Sequence, residues 1–159
     1  MKGTTHLAAG LLTGLFITSQ QPQLSEATIV FTAGSIIGSI LPDIDNRTSK
    51  IGQHIGITSF LIQLFIGHRT IFHAPVLYVL LYALITAMFP GSSRLLSGIS
   101  VGVTTHLFLD MLNPAGIPLL WPLPLRIHLS RIRSGGLIDK LIGAGLWTYI
   151  PIYIFQAVF

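Results

Sequence analysis

Residues 95–112 read LLSGISVGVTTHLFLDML, eighteen positions whose one formal charge, Asp110, comes almost at the end. A stretch of roughly that length and apolarity is what a helix needs to cross the hydrocarbon core of a bilayer. Gly98 and Gly102, four apart, share one helix face and let another backbone come close. Toward the end of the stretch His106 and Asp110 are also four apart, and Asn113 lies seven beyond His106, so imidazole, carboxylate and amide fall on one stripe at 3.6 residues per turn. The stretch therefore predicts a spanning helix that ends in a polar face able to grip a cation.

Working outward, four more apolar stretches have the same character: Thr5–Ser19, Leu24–Leu41, His73–Phe89 and Leu141–Phe159. Gly10 with Gly14 and Gly34 with Gly38 repeat the small-residue spacing. The 159 residues are 51% hydrophobic and only 9% charged, where a water-soluble domain carries about a quarter charged residues. The fold class is thus an all-α integral membrane protein, a compact bundle of about five transmembrane helices in a single domain over residues 1–159. Ile51–Gly67 and Pro114–Leu125, apolar but interrupted by polar residues or prolines, read as short interfacial or re-entrant pieces, with Trp121 at headgroup depth. Thr18-Ser19-Gln20-Gln21 is a poor cleavage site, so the first stretch is read as a mature helix and not a signal peptide. The absence of cysteine excludes a disulfide framework, a thiolate metal site and a Cys nucleophile. A net charge of +4 from scattered residues is no nucleic-acid face.

Orientation follows from the basic residues, which favour the cytoplasmic side. Lys2, Arg47, Lys50, Arg69, Arg126, Arg131, Arg133 and Lys140 share one side of a five-helix topology, with Arg94 alone opposite. The N-terminus is then inside and the C-terminus outside. The same topology places all six histidines, together with Asp43, Asp45, Asp110 and Asp139, at the cytoplasmic ends of helices or in cytoplasmic loops. Ionisable groups near a bilayer usually face a shared interior or watery cavity, so their convergence implies one site. In Leu41-Pro42-Asp43-Ile44-Asp45 the two carboxylates point the same way if the turn is extended. In Gly67-His68-Arg69-Thr70-Ile71-Phe72-His73, His68 must sit in the turn and His73 in the first turn of the next helix for both to reach that site. Arg69 suits a phosphate or carboxylate group, or simple positive-inside anchoring. His6 becomes a ligand candidate through these neighbours. His54 and His128 have no carboxylate at useful spacing, and Asp139 reads as a local cap or a partner of Lys140 or Arg133.

His6, Leu41-Pro42-Asp43-Ile44-Asp45, His68-Arg69 with His73, and His106 to Pro114 followed by Leu119-Leu120-Trp121-Pro122 together resemble the family of LexA-regulated, membrane-bound metal-dependent hydrolases, the YdjM-like proteins. The resemblance covers roughly His6 to Trp121. It implies His6, Asp43, Asp45, His68, His73, His106 and Asp110 as metal-site residues. That ligand pattern is distantly similar to zinc-dependent phospholipase C and nuclease P1, all-helical proteins that cluster metal ions on His and Asp. This sequence shows neither their second His-x-x-x-Asp element nor their free-terminus ligand, so a three-metal cluster is not implied.

The expected function is a membrane-bound hydrolase with one or two divalent ions. Imidazoles and carboxylates without thiolate fit Zn²⁺ best, with Mn²⁺ and Fe²⁺ also compatible. Asp45 or Asp110 would take the proton from water, and Arg69 would face a phosphoester of a lipid or lipid-linked substrate, with Asn113 supporting the ligands. The rival reading is a divalent metal or proton transporter using the same cluster, although transporters usually place ligands near the bilayer midplane.

Overall fold

The computed structural model describes residues 1–19, 25–45 and 70–158, leaving aside the side chains of 45, 157 and 158. Five α-helices account for most of these residues: α1 Gly3–Thr18, α2 Glu26–Ile40, α3 Pro75–Met88, α4 Ser93–Met111 and α5 Leu137–Val158. Short 3₁₀ turns follow α2 at Leu41–Asp45, precede α3 at Ile71–His73 and link α3 to α4 at Pro90–Ser92. Local chemistry sets several of these ends. Ser25 caps α2 by accepting from the Thr28 N–H at 3.3 Å, and Pro75 opens α3 where its missing N–H costs nothing. The last helix starts four residues before the Leu141 boundary expected from hydropathy, because Asp139 and Lys140 are held inside its first turn and a half.

The small-residue faces do what their spacing predicts. α2 runs between α1 and α4, and glycines bring all three backbones together. A Cβ on Gly34 would sit 2.5 Å from the Leu95 carbonyl oxygen, and one on Gly102 would collide with the Ser35 carbonyl. On the other side of α2, Ser35 Oγ donates to the Gly10 carbonyl at 2.7 Å, an interhelical bond possible only at this close approach. Gly102→Val should therefore lower stability by about 1–3 kcal/mol through overpacking. Gly145→Ala on α5, where a new Cβ meets nothing within 4 Å, should be neutral or up to ~1 kcal/mol stabilising. Thermal unfolding in detergent separates the two; equal midpoints would deny the close-packing account.

The expectation of five spanning helices is met only in part. Among the described residues, two helical segments are long and apolar enough to cross a bilayer, Glu26–Ile44 and Leu137–Gln156. α1 has 16 residues and α3 has 14, about 24 Å and 21 Å of rise against a hydrocarbon core of about 30 Å. α4 is 19 residues long, but its serines, threonines, Arg94, His106 and Asp110 dilute its hydropathy. Ile51–Gly67 lies outside the described residues. Pro114–Leu125 forms turns, tied down by an antiparallel bridge between Ile117 and Ile127.

Candidate metal centre

The start of α1, the end of α2, the start of α3, the end of α4 and the start of α5 gather at one end of the bundle, so successive helices run in opposite directions. That end carries the ionisable groups. His6 comes from the first turn and a half of α1, Asp43 from the 3₁₀ turn after α2, His73 from the turn before α3, and His106 and Asp110 from the last two turns of α4. Potential ligand atoms of His6, His106 and Asp110 lie within 4.8 Å of one another, as do those of Asp43, His73 and His106. His106 belongs to both triplets and so joins them into one cluster.

Asp110 is the centre of the charge arrangement. Its Oδ1 is 3.3 Å from His6 Nε2, and its Oδ2 is 3.4 Å from His73 Nε2 and 3.8 Å from His106 Nε2. The His6 and His106 rings stack with centroids 3.9 Å apart, while His73 meets His106 edge-on at 5.5 Å. His6, His73, His106 and Asp110 are at most 1% exposed. Leaving such groups uncompensated in a buried environment costs several kcal/mol, on the order of the penalty for unpaired buried polar or charged atoms.

The tautomer of His106 can be read from its surroundings. Its Nδ1 lies 2.7 Å from the Ser39 carbonyl oxygen, which can only accept, so Nδ1 carries the hydrogen and donates. In the neutral ring Nε2 then presents a lone pair to the cluster, and it is buried with no hydrogen-bond partner among the described residues. An imidazole that donates one N–H to a backbone carbonyl and turns the lone pair of its other nitrogen toward a cluster of further donor atoms has the usual posture of a metal-binding histidine. His6 Nδ1 is likewise buried without a hydrogen-bond partner among the described residues. The donor set fits a divalent ion, and the group can hold one.

Sequence spacing does not mark two contributors. The Met1 amine donates to Asp110 Oδ1 at 2.7 Å and so stands beside the cluster as a counter-charge, where the sequence shows no free-terminus ligand. Asp139, fully buried, accepts from the Lys2 N–H at 3.0 Å, the Thr5 hydroxyl at 2.9 Å and the Gly135 N–H at 2.6 Å. It thereby ties the first turn of α1 to α5, a different role from pairing with Lys140 or Arg133. Asn113 does not continue the His106 stripe, because α4 ends at Met111. Its amide donates to Ser134 Oγ at 2.7 Å and its carbonyl accepts from the Ala115 N–H, which organises the following loop. The Asp45 side chain, His54, His68 and Arg69 lie outside the described residues, and so does any test of their place in the cluster.

A family model described as YdjM inner membrane protein matches residues 1–158. The chain belongs to that family. Among its relatives, the uncharacterized protein YvsG of Bacillus subtilis is 30% identical over 160 residues, covering 100% of this chain and 97% of that protein. The inner membrane protein YdjM of Escherichia coli is 31% identical over 121 residues, 72% of this chain and 62% of the relative, and YdjM of Shigella flexneri aligns equally. No solved structure matches the chain. Membership in the YdjM family, with two helices able to span among the described residues, makes this a membrane protein that carries a buried His/Asp group at one end of its bundle.

Proposed function

We propose that the chain is a membrane-embedded, metal-dependent hydrolase acting on a phosphoester of a lipid or lipid-linked substrate. In this reading all five helices cross a locally thinned bilayer, with the N-terminus and the metal site on the cytoplasmic side. The observation that carries the proposal is the His106 tautomer, fixed by the Ser39 carbonyl so that Nε2 faces Asp110 and the other imidazoles. His6, Asp43, His73, His106 and Asp110 would hold the ion, with Asp45 and His68 joining them by family resemblance. The nitrogen-rich, thiolate-free set favours zinc, with manganese or iron as alternatives. A divalent ion bound there supplies Lewis-acid polarisation and water of lowered pKa.

The remaining work falls to the chain's own residues. Asp45 or Asp110 accepts the proton released by the attacking water. Arg69 holds the anionic phosphoryl group, and Arg126, Arg131 and Arg133 add positive potential where headgroups lie. The same burial that makes the histidines available to an ion also keeps bulk water from competing for them. The gathering of ligands at one end of the bundle favours hydrolysis over transport, for which a midplane site is the general expectation.

Purified protein reloaded with Zn²⁺ should release phosphate or headgroup from phosphatidic acid or phosphatidylglycerol, lose that activity to a chelator, and regain it on readdition of the ion. His106→Ala and Asp45→Ala should each abolish release. Uptake of metal into sealed vesicles without any hydrolysis would overturn the hydrolase in favour of a transporter.

A further inference from the structure

Between α3 and α4 the surface opens into a groove of about 400 Å³. Pro75, Tyr78 and Val79 form one wall, and Ser100, Val103 and Leu107 the other. The volume lies in the range typical of ligand pockets, about 300–1,000 Å³. We propose that this groove seats one acyl chain of a phospholipid whose phosphoester head reaches the His/Asp cluster. The inference rests on the hydrolase reading for the head of that lipid and on the groove itself for the chain.

The position of the groove supports this. Its end nearer the cluster is made by Pro75, two residues after His73, and by Leu107, the neighbour of His106. Its other end reaches Tyr82 on α3 and Ser97 on α4. Seven residues on one helix and ten on the other amount to about 10–15 Å, a third to a half of a hydrocarbon core of about 30 Å. The groove therefore fits within the depth of a single leaflet and begins where a headgroup would be.

Its lining is more apolar than the sequence suggests. Thr104 Oγ1 donates to the Ser100 carbonyl at 2.8 Å, which turns the hydroxyl onto its own helix and leaves the methyl outward. Tyr78 donates its hydroxyl to the Phe72 carbonyl at 2.7 Å, so the ring forms a wall whose polar tip is anchored on the turn that bears His73. No residue of α3 is buried, and Val79, Leu80 and Leu84 are each more than half exposed. If all five helices cross the bilayer, as the hydrolase reading has them, this unburied helix faces lipid and the medium meeting the groove is hydrocarbon.

The experiment uses the full chain in detergent and phosphatidic acid with a photoactivatable diazirine in the middle of one acyl chain. Labelling should concentrate on peptides of α3 and α4 between residues 75 and 107. Ser100→Trp, which fills the groove, should reduce that labelling by about tenfold or more, the scale at which apolar pockets discriminate, with metal content unchanged. Val79→Trp fills it from the exposed side of α3 and provides the same test should the first variant fail to fold. Labelling spread equally over α3, α4 and the exposed face of α5, or undiminished in both variants, would overturn the proposal. Groove-specific labelling in a protein that releases no phosphate would strike down the hydrolase reading alone.

Discussion

Asp110→Asn should strip the purified protein of its bound divalent ion and unfold it at markedly lower temperature. One carboxylate here faces the Met1 amine at 2.7 Å and three imidazoles at 3.3, 3.4 and 3.8 Å. Asparagine keeps the shape but removes the charge, leaving a buried ammonium beside a neutral amide. Breaking a buried pair on one side typically costs about 3–5 kcal/mol, far more than the pair itself contributes, because the remaining charge keeps its desolvation penalty. The loss of metal has a separate origin: Asp110 supplies a negative oxygen to the triplet with His6 and His106. Elemental analysis against wild type, alongside a helix signal by circular dichroism, checks both parts. Full metal occupancy in the variant would refute Asp110 as a ligand, and an unchanged unfolding midpoint would refute its role as the buried counter-charge.

The residues that sequence spacing could assemble were those on regular elements. His106 and Asp110 are one helical turn apart on α4, and a helical repeat is enough to pair them. Asp43 and His73 are reachable because each lies within three residues of a helix whose apolar pattern is plain, in a 3₁₀ turn and not in the helix itself, and alternating helix direction brings those ends together. What spacing could not supply was backbone chemistry. The carbonyl of Ser39 that fixes the His106 tautomer and the amine of Met1 that neutralises Asp110 belong to no motif. Asn113 shows the opposite error, a helical stripe extended two residues past the point where α4 ends at Met111. That the expectation of five spans is met only in part has a similar cause. Apolar content was legible in α1 and α3, but their rise is set by where Thr18 and Met88 end them, and α4 earns its place through glycine contacts with α2 as much as through hydropathy.

Asp139→Ala should loosen the first turn of α1 and weaken metal binding at a site it does not touch. The Asp139 carboxylate accepts three hydrogen bonds, from the Lys2 and Gly135 N–H groups and the Thr5 hydroxyl. Alanine leaves those donors without their acceptor. The Thr5 hydroxyl is buried, and a buried donor left unsatisfied costs about 1–3 kcal/mol. The part-buried Lys2 and Gly135 N–H groups can turn to water, so a loss of about 1–3 kcal/mol is expected. The same turn presents Met1 on one side of Lys2 and, four residues further, His6 to Asp110. Freeing it should reduce metal affinity about 10- to 100-fold, the usual cost of removing a group that orients ligands. Asp139→Asn, which keeps a carbonyl acceptor but no charge, should recover part of the affinity. Thr5→Ala, which removes only one of the three bonds, should cost less than either replacement of Asp139. Metal titration of the three variants in detergent gives the order Thr5→Ala mildest, Asp139→Asn next and Asp139→Ala worst. Equal affinity in Asp139→Ala and wild type would mean that His6 keeps its place without help from α5, and that the contact serves stability alone.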